Sequence, residues 1–291
     1  MSISLAHKFF KTSVLVLEKT LKFISDDLYF KVIVGLLDEI NPVYSVSTKN
    51  GNINFRCVSE TVRIRAREML LREPETLEWI DSFGSDEIFW DVGSNIGVFS
   101  LYAAVTRGVR VVALDPLPQN YHSLIENAAL SNVSELIEIY CVAASDETIV
   151  APLYISSEAN TAGGANCPFG ENTSNYGKPV TPARRISALG FSIDDFLKTF
   201  EVPFPNHLKV DIDGVQEKVI VGAHDTLRDP RLLSVMFELQ PGNIKANKKA
   251  NTFIEAELKK SGFSLRKTVA ATPNMTNDPE ISVTNNFFHR A

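Results

Sequence analysis

The sequence predicts an α/β protein built on a doubly wound, mostly parallel sheet of seven strands, with an accessory segment at the N-terminus. Two observations lead there. From residue 86 onward, short apolar runs alternate with helical stretches, the rhythm of repeated strand, helix, strand units. Within that rhythm Phe89 to Ser100, FWDVGSNIGVFS, reads as a strand that delivers an acidic residue into a glycine-rich turn and then a helix. At 291 residues and 44% hydrophobic content, the chain can bury the core such a sheet requires.

Taken in order, residues 9–28 place Phe10, Val14, Leu17, Leu21, Ile24 and Leu28 on one helical face, with Lys11, Glu18, Lys19 and Lys22 elsewhere. That face suits docking onto the body or onto a second subunit, as in a homo-oligomer, with a weak membrane-surface contact as the alternative. Residues 44–64 read as strand, with Asn50, Gly51 and Asn52 as a hairpin turn. In EPETLEWI, Pro74 suits a first helical position and Glu75 and Glu78 a first turn. Those carboxylates could line a site, but complementarity to the helix dipole explains them as well. Residues 1–85 are therefore expected to form the accessory region and 86–291 the main domain.

In the main domain, strands are expected near 86–91, 109–114, 136–142, 207–212 and 232–239, with helices near 97–106, 118–130, 215–227 and 247–261. FSLRKTVA after Gly262 and the tail ISVTNNFFHR complete the seven, the tail pairing antiparallel at the sheet edge. The insertion 150–185, rich in Ser, Gly, Asn, Pro and Thr, breaks the rhythm beside the expected site, where a substrate lid or wall could form.

The glycine turn carries the chemistry. Gly93 and Gly97 are expected to clear space for a ligand at the backbone, and Asp91 occupies the place where a dinucleotide fingerprint has its first glycine. A carboxylate there repels a pyrophosphate and suits a cofactor with a cationic amino-acid end, a description that S-adenosylmethionine fits. Asp115 ends the second strand at the spacing of about 20 residues that a ribose-binding carboxylate requires.

Composition narrows the alternatives. A net charge of −6 argues against nucleic acid as partner. Cys57, Cys141 and Cys167 are too few and too scattered for a disulfide framework or a zinc site. With no long apolar run and no signal-peptide cleavage site, a soluble protein of the reducing cytoplasm is expected.

DVGSNIG, the DP after the second strand, and LKVDIDGVQEKVIVGA make the chain resemble the FkbM-type S-adenosylmethionine-dependent methyltransferases. The resemblance spans most of residues 73–240: EPETLEWID, FWDVGSNIGVFSLYAA, VALDPLPQNYHSLIENAALSNV, SIDDFL, LKVDIDGVQEKVIVGA and MFEL stand in the family's order. It implies a Rossmann-like class I methyltransferase fold and methyl transfer to a hydroxyl, often on a sugar or polyketide. It further implies that Asp91, Gly93, Ser94, Asn95 and Gly97 hold the methionine end of the cofactor, Asp115 the ribose and Asp146 the adenine end. Ser94 stands where alanine is common, Asp115 where glutamate is common, and Asp213 where the DVEG form has glutamate.

In HLKVDIDG the side chains alternate, so Lys209, Asp211 and Asp213 share one face. Burying these charges in a central strand requires partners or a ligand. Asp211 is the expected base for an acceptor hydroxyl, oriented by Lys209, with Asp213 beside it and Glu238 of the next strand as a partner for Lys209. The competing reading is an ion network that props the cofactor loop. Asp211, Asp213 and Glu217 have spacing that could hold Mg²⁺ or Ca²⁺, but helix capping and an ordinary first-turn acid explain the same letters, so no metal is expected. A small-molecule or glycan acceptor is expected. Transfer to a nitrogen or carbon centre, or a silent cofactor-binding module, are the alternatives.

Overall fold

The computed structural model describes residues 3–156, 161–164, 167–172, 181–212, 214–271 and 282–291. Contacts divide the chain into two compact units, 1–42 and 43–291.

The first unit is a pair of helices, α1 (Ile3–Ile24) and α2 (Asp26–Glu39). Its single expected helical face is broken at Ser25, which adopts extended dihedrals and caps α2 with its hydroxyl. Apolar side chains of α1 lie open, with Phe9, Phe10 and Phe23 exposed to 71%, 70% and 93%. No helix among the described residues is long and apolar enough to cross a membrane.

The second unit begins with the hairpin of β1 (Val43–Thr48) and β2 (Gly51–Arg56), paired antiparallel with Thr48 opposite Gly51. The expected strand from 57 to 64 is instead the start of α3 (Glu60–Arg72). Ser59 decides this: its hydroxyl accepts from the amide of Val62, and Val62, Ala66 and Met69 then recur at helical spacing on the buried side. α4 (Pro74–Asp81) follows with Pro74 in its first turn. These elements belong to the body from Val43 onward, not to a separate region ending at 85. The reason is local bonding: Asn54 and Arg56 of β2 donate their amides to Ser131 and Asn127, and Ile53 and Phe55 are fully buried.

The main sheet contains β3 (Ile88–Val92), β4 (Arg110–Leu114), β5 (Ile137–Tyr140), β9 (His207–Val210), β10 (Ser234–Leu239), β11 (Phe263–Ala270) and β12 (Thr284–Arg290). Its order is β11-β12-β10-β9-β3-β4-β5. The five strands from β10 to β5 are parallel, while β12 runs antiparallel to both β10 and β11. The tail therefore lies one place in from the edge. Leaving it at the edge would expose Asn285, Phe287 and Phe288, all of which are buried.

Helices α5 (Val98–Arg107), α6 (Pro118–Leu130) and α10 (Lys245–Lys260) fall where expected. The single helix expected over 215–227 divides at Ala223 into α8 (Gln216–Gly222) and α9 (His224–Arg228). A second sheet of β6 (Ala143–Ala144), β7 (Ile149–Ile155) and β8 (Arg184–Phe191), in the order β6-β8-β7, brackets the insertion and is followed by α7 (Ile193–Thr199). The chain winds outward from β3 to β5 and returns to the other side of β3 at β9, so the direction of winding reverses between β3 and β9.

Candidate active site

At that reversal the turn after β3 is held in left-handed backbone, with φ of +82° at Gly93, +52° at Asn95 and +87° at Gly97. The glycines are there for packing more than for direct ligand approach. A Cβ on Gly93 would lie 1.8 Å from the carbonyl oxygen of Asp211, and one on Gly97 2.0 Å from Cδ1 of Leu124. Gly93 lets the turn press against the backbone after β9, and Gly97 seats α6 against α5. Asn95 tolerates its φ because its own Oδ1 accepts from the amide of Ile96 at 3.0 Å.

Asp115, at the end of β4, locks this turn. Its Oδ2 accepts from the amide of Asn95 at 2.8 Å, and its Oδ1 from the amide of Leu117 at 2.9 Å, with the Asn120 side chain donating to both oxygens. One carboxylate thus ties the first βα turn to the second, and it faces a cleft of about 420 Å³. The cleft opens over the carboxyl ends of β3, β4, β9 and β10. One wall is largely apolar, with Leu117, Ala143 and Phe169, and the other is acidic, with Glu73, Asp211 and Glu238.

Part of the insertion forms a fixed wall. Gly163 donates its amide to Asn120 at 2.9 Å and accepts from the Arg65 guanidinium at 2.6 Å. Asn95 donates to the carbonyl of Gly164, and Ser59 to that of Ala162. Gly164, Cys167 and Phe169 thereby reach the cleft.

Beneath the acidic wall lies a buried charge cluster. Lys209 is 1% exposed; its Nζ stands 2.9 Å from Oδ2 of Asp211 and 3.4 Å from Oδ1 of Asp91, and 4.8 Å over the ring of Phe99. Although burial alone would lower it, the carboxylates of Asp211, Asp91 and Glu73 raise the Lys209 pKa above its ordinary value, so it is a cation. Asp91 is wholly buried and accepts from the Ser100 hydroxyl at 2.6 Å.

Of the residues singled out in the sequence, Gly93, Asn95, Asp115, Asp211 and Glu238 line the cleft. Lys209 and Asp91 lie under it. The sequence places Asp91 at the cofactor, but the register of β3 turns its side chain toward α5, where Ser100 and Lys209 enclose it. Ser94 and Gly97 also sit behind the lining. Asp146 is on the exposed surface, bonded to the Ser145 hydroxyl, while Val142, Ala143 and Ala144 present the cleft wall in that region. Asp213 lies outside the described residues. Glu238 accepts from the Gln240 amide at 3.2 Å.

Sequence reasoning overlooked Glu73, Arg65 and Arg72. Glu73 stands between α3 and α4, and its carboxyl accepts from Asn285 at 2.9 Å and from Thr76 at 3.3 Å. Burial and the neighbouring Asp211 charge push its pKa up to about 7, against the opposing pull of Lys209. Arg72 lines the same end with no polar partner among the described residues. The first E of EPETLEWI was the available signal for Glu73, but an acid at a helix start is equally well explained by the helix dipole.

Residues 91–265 match the family described as Methyltransferase FkbM domain. The hexuronic acid methyltransferase AglP of Haloferax volcanii is 25% identical over 151 residues, covering 52% of this chain and 55% of that relative. The chain thus spans about half the length of the curated relative it matches. Among solved structures, the FkbM methyltransferase of Methylobacillus flagellatus KT aligns with a TM-score of 0.44 at 15% identity, over 70% of this chain and 44% of that one. The precorrin-6y C5,15-methyltransferase of Geobacter metallireducens GS-15 aligns with a TM-score of 0.42 at 14% identity, over 75% and 87%.

Proposed function

This chain belongs to the FkbM methyltransferase family, and we propose that it transfers a methyl group from S-adenosylmethionine to a hydroxyl of a carbohydrate or glycan-related acceptor. The observation that carries the cofactor is the donor set of the cleft. Glu73, Asp211 and Glu238 line one end, with Arg72 beside Glu73, and supply carboxylates suited to a sulfonium and an ammonium. Gly93 packs the turn against the Asp211 backbone and so fixes that residue at the cleft, since a Cβ there would displace it. Asp115 stands where ribose hydroxyls would meet it, and Leu117, Ala143 and Phe169 offer an apolar wall for a flat base. When bound, the cofactor supplies an electrophilic methyl; the protein's part is to align the acceptor oxygen, exclude water and take its proton.

The acceptor end is defined by Arg65 and Arg72. Arg65 is held by Gly163, whereas Arg72 is the cation available to a negatively charged group on the acceptor. That fits a sugar acid, the substrate class in the name of the Haloferax relative. Isothermal titration should show S-adenosylhomocysteine binding and no NAD binding; the reverse result would refute the proposal. Mass spectrometry of glycans from cells with and without the protein should then differ by one methylene on an acidic sugar.

A further inference from the structure

We infer that Glu73 is the group that takes the proton from the acceptor hydroxyl, with Asp211, Lys209 and Asp91 beneath it acting as fixed charges. This rests on the methyl-transfer reading above and moves the base from the strand end, where the sequence places it, to the α3–α4 junction.

Geometry makes the assignment. Both hydrogen bonds to the Glu73 carboxyl, from Asn285 and Thr76, fall on Oε2, which leaves Oε1 without a hydrogen bond among the described residues, on a side chain that lines the cleft. Asp211 lines the cleft too, but its Oδ2 is 2.9 Å from a lysine that has no exposure with which to regain water. Protonating Asp211 would leave Asp91, at 3.4 Å, as the one carboxylate at ion-pair distance from Lys209 among the described residues. A buried ion pair that loses one partner is costly, so Asp211 is poorly placed to change charge during turnover.

Charge balance points the same way. The Lys209 cation and the Asn285 side-chain donor favour the charged form of Glu73, against burial and the nearby carboxylates of Asp211 and Glu75. Asp211 and Asp91 already share Lys209 at ion-pair distance, so Glu73 receives only what pull remains. Burial and the Asp211 charge hold its pKa at about 7, where a carboxylate can both accept a proton and return it to water.

In the step itself, a lone pair of the acceptor oxygen forms the new O–C bond as the carbon–sulfur bond breaks, its electron pair staying on sulfur and cancelling the positive charge there. The O–H proton passes to Oε1 of Glu73, which becomes a neutral carboxylic acid and later releases the proton to solvent through the cleft.

The test is an infrared titration of the whole chain, free and with two probes: S-adenosylhomocysteine, neutral at sulfur, and sinefungin, which carries an ammonium near the position of the transferred methyl. The free protein should show one carboxylic acid titrating near pH 7 that is missing in Glu73→Gln. Sinefungin should lower that titration by about one unit or more relative to S-adenosylhomocysteine, as a cation within a few ångströms does. With a glucuronide as acceptor probe, Glu73→Gln should lose about a hundredfold or more in kcat with KM retained, and Glu73→Asp should recover part of it. The inference is overturned if no acid titrates near neutrality, if the acid survives in Glu73→Gln, if the two probes act alike, or if Glu73→Gln turns over as the natural protein does. Failure of both nucleosides to bind by calorimetry would instead refute the methyl-transfer reading, whatever the titration shows.

Discussion

At the residue scale, Lys209 shows how a charge can be held in a core. Its side chain is 1% exposed, and it is tolerable there because Asp91 and Asp211 neutralise it and Phe99 covers it. Lys209→Met should cost about 3–5 kcal/mol in urea unfolding, since it leaves two carboxylates without their cation. Adding Asp91→Asn should return part of that loss, because the residual charge is what is expensive. Glu73 gives the opposite sign. Its folded pKa of about 7 lies above its ordinary value of 4.5, so its ionised form is disfavoured by folding. The penalty is absent below the unfolded pKa and complete above the folded one. Glu73→Gln should therefore be more stable than the natural protein above pH 7, by about 1–3 kcal/mol, with the difference vanishing toward pH 4. Measured unfolding free energies that keep the same difference at both pH values would contradict this.

At the element scale, the turn between β3 and α5 is set by what surrounds it. Gly93→Ala should prevent folding or cost several kcal/mol, because its Cβ meets a backbone oxygen that cannot rotate away. Gly97→Ala meets a flexible leucine instead, so the double substitution with Leu124→Ala should be less damaging than the sum of the two. Gly108→Ala, with nothing within 4 Å of its Cβ, should show the dihedral penalty alone, about 1–2 kcal/mol. Thermal unfolding of these variants, with Leu124→Ala alone beside them, ranks them. α3 teaches a different lesson. Its residues Val62, Ile64 and Ala66 fit a strand or a helix by pattern, and the Ser59 cap settles the matter; Ser59→Ala should cost about 1 kcal/mol. The sequence made β3, α5, β4 and α6 legible because an apolar run, a glycine turn and a helical period follow one another without ambiguity. The break at Ala223 was signalled by Gly222 alone, against an apolar period that continues on both sides of it.

At the scale of the molecule, the body from Val43 onward has its own core, formed on both faces of the sheet, and the hairpin β1–β2 is part of it. A chain of residues 43–291 should therefore fold with a cooperative unfolding transition and keep its affinity for S-adenosylhomocysteine. Loss of that transition in circular dichroism would show that the two-helix unit is needed for the fold. Local letters alone determined the parallel sheet, the position of the glycine turn and the family. Each depends on residues close in sequence or on a repeating period, and such patterns survive without knowledge of the third dimension. Only the tertiary structure decided that Asp91 is sealed below the cleft, that β12 enters between β10 and β11, that Asp115 locks the glycine turn, and that Glu73 and Arg72 line the same cleft as Asp211. These outcomes depend on strand register and on contacts such as Asn285 to Glu73, between residues roughly two hundred positions apart, and no local period encodes which distant side chains meet.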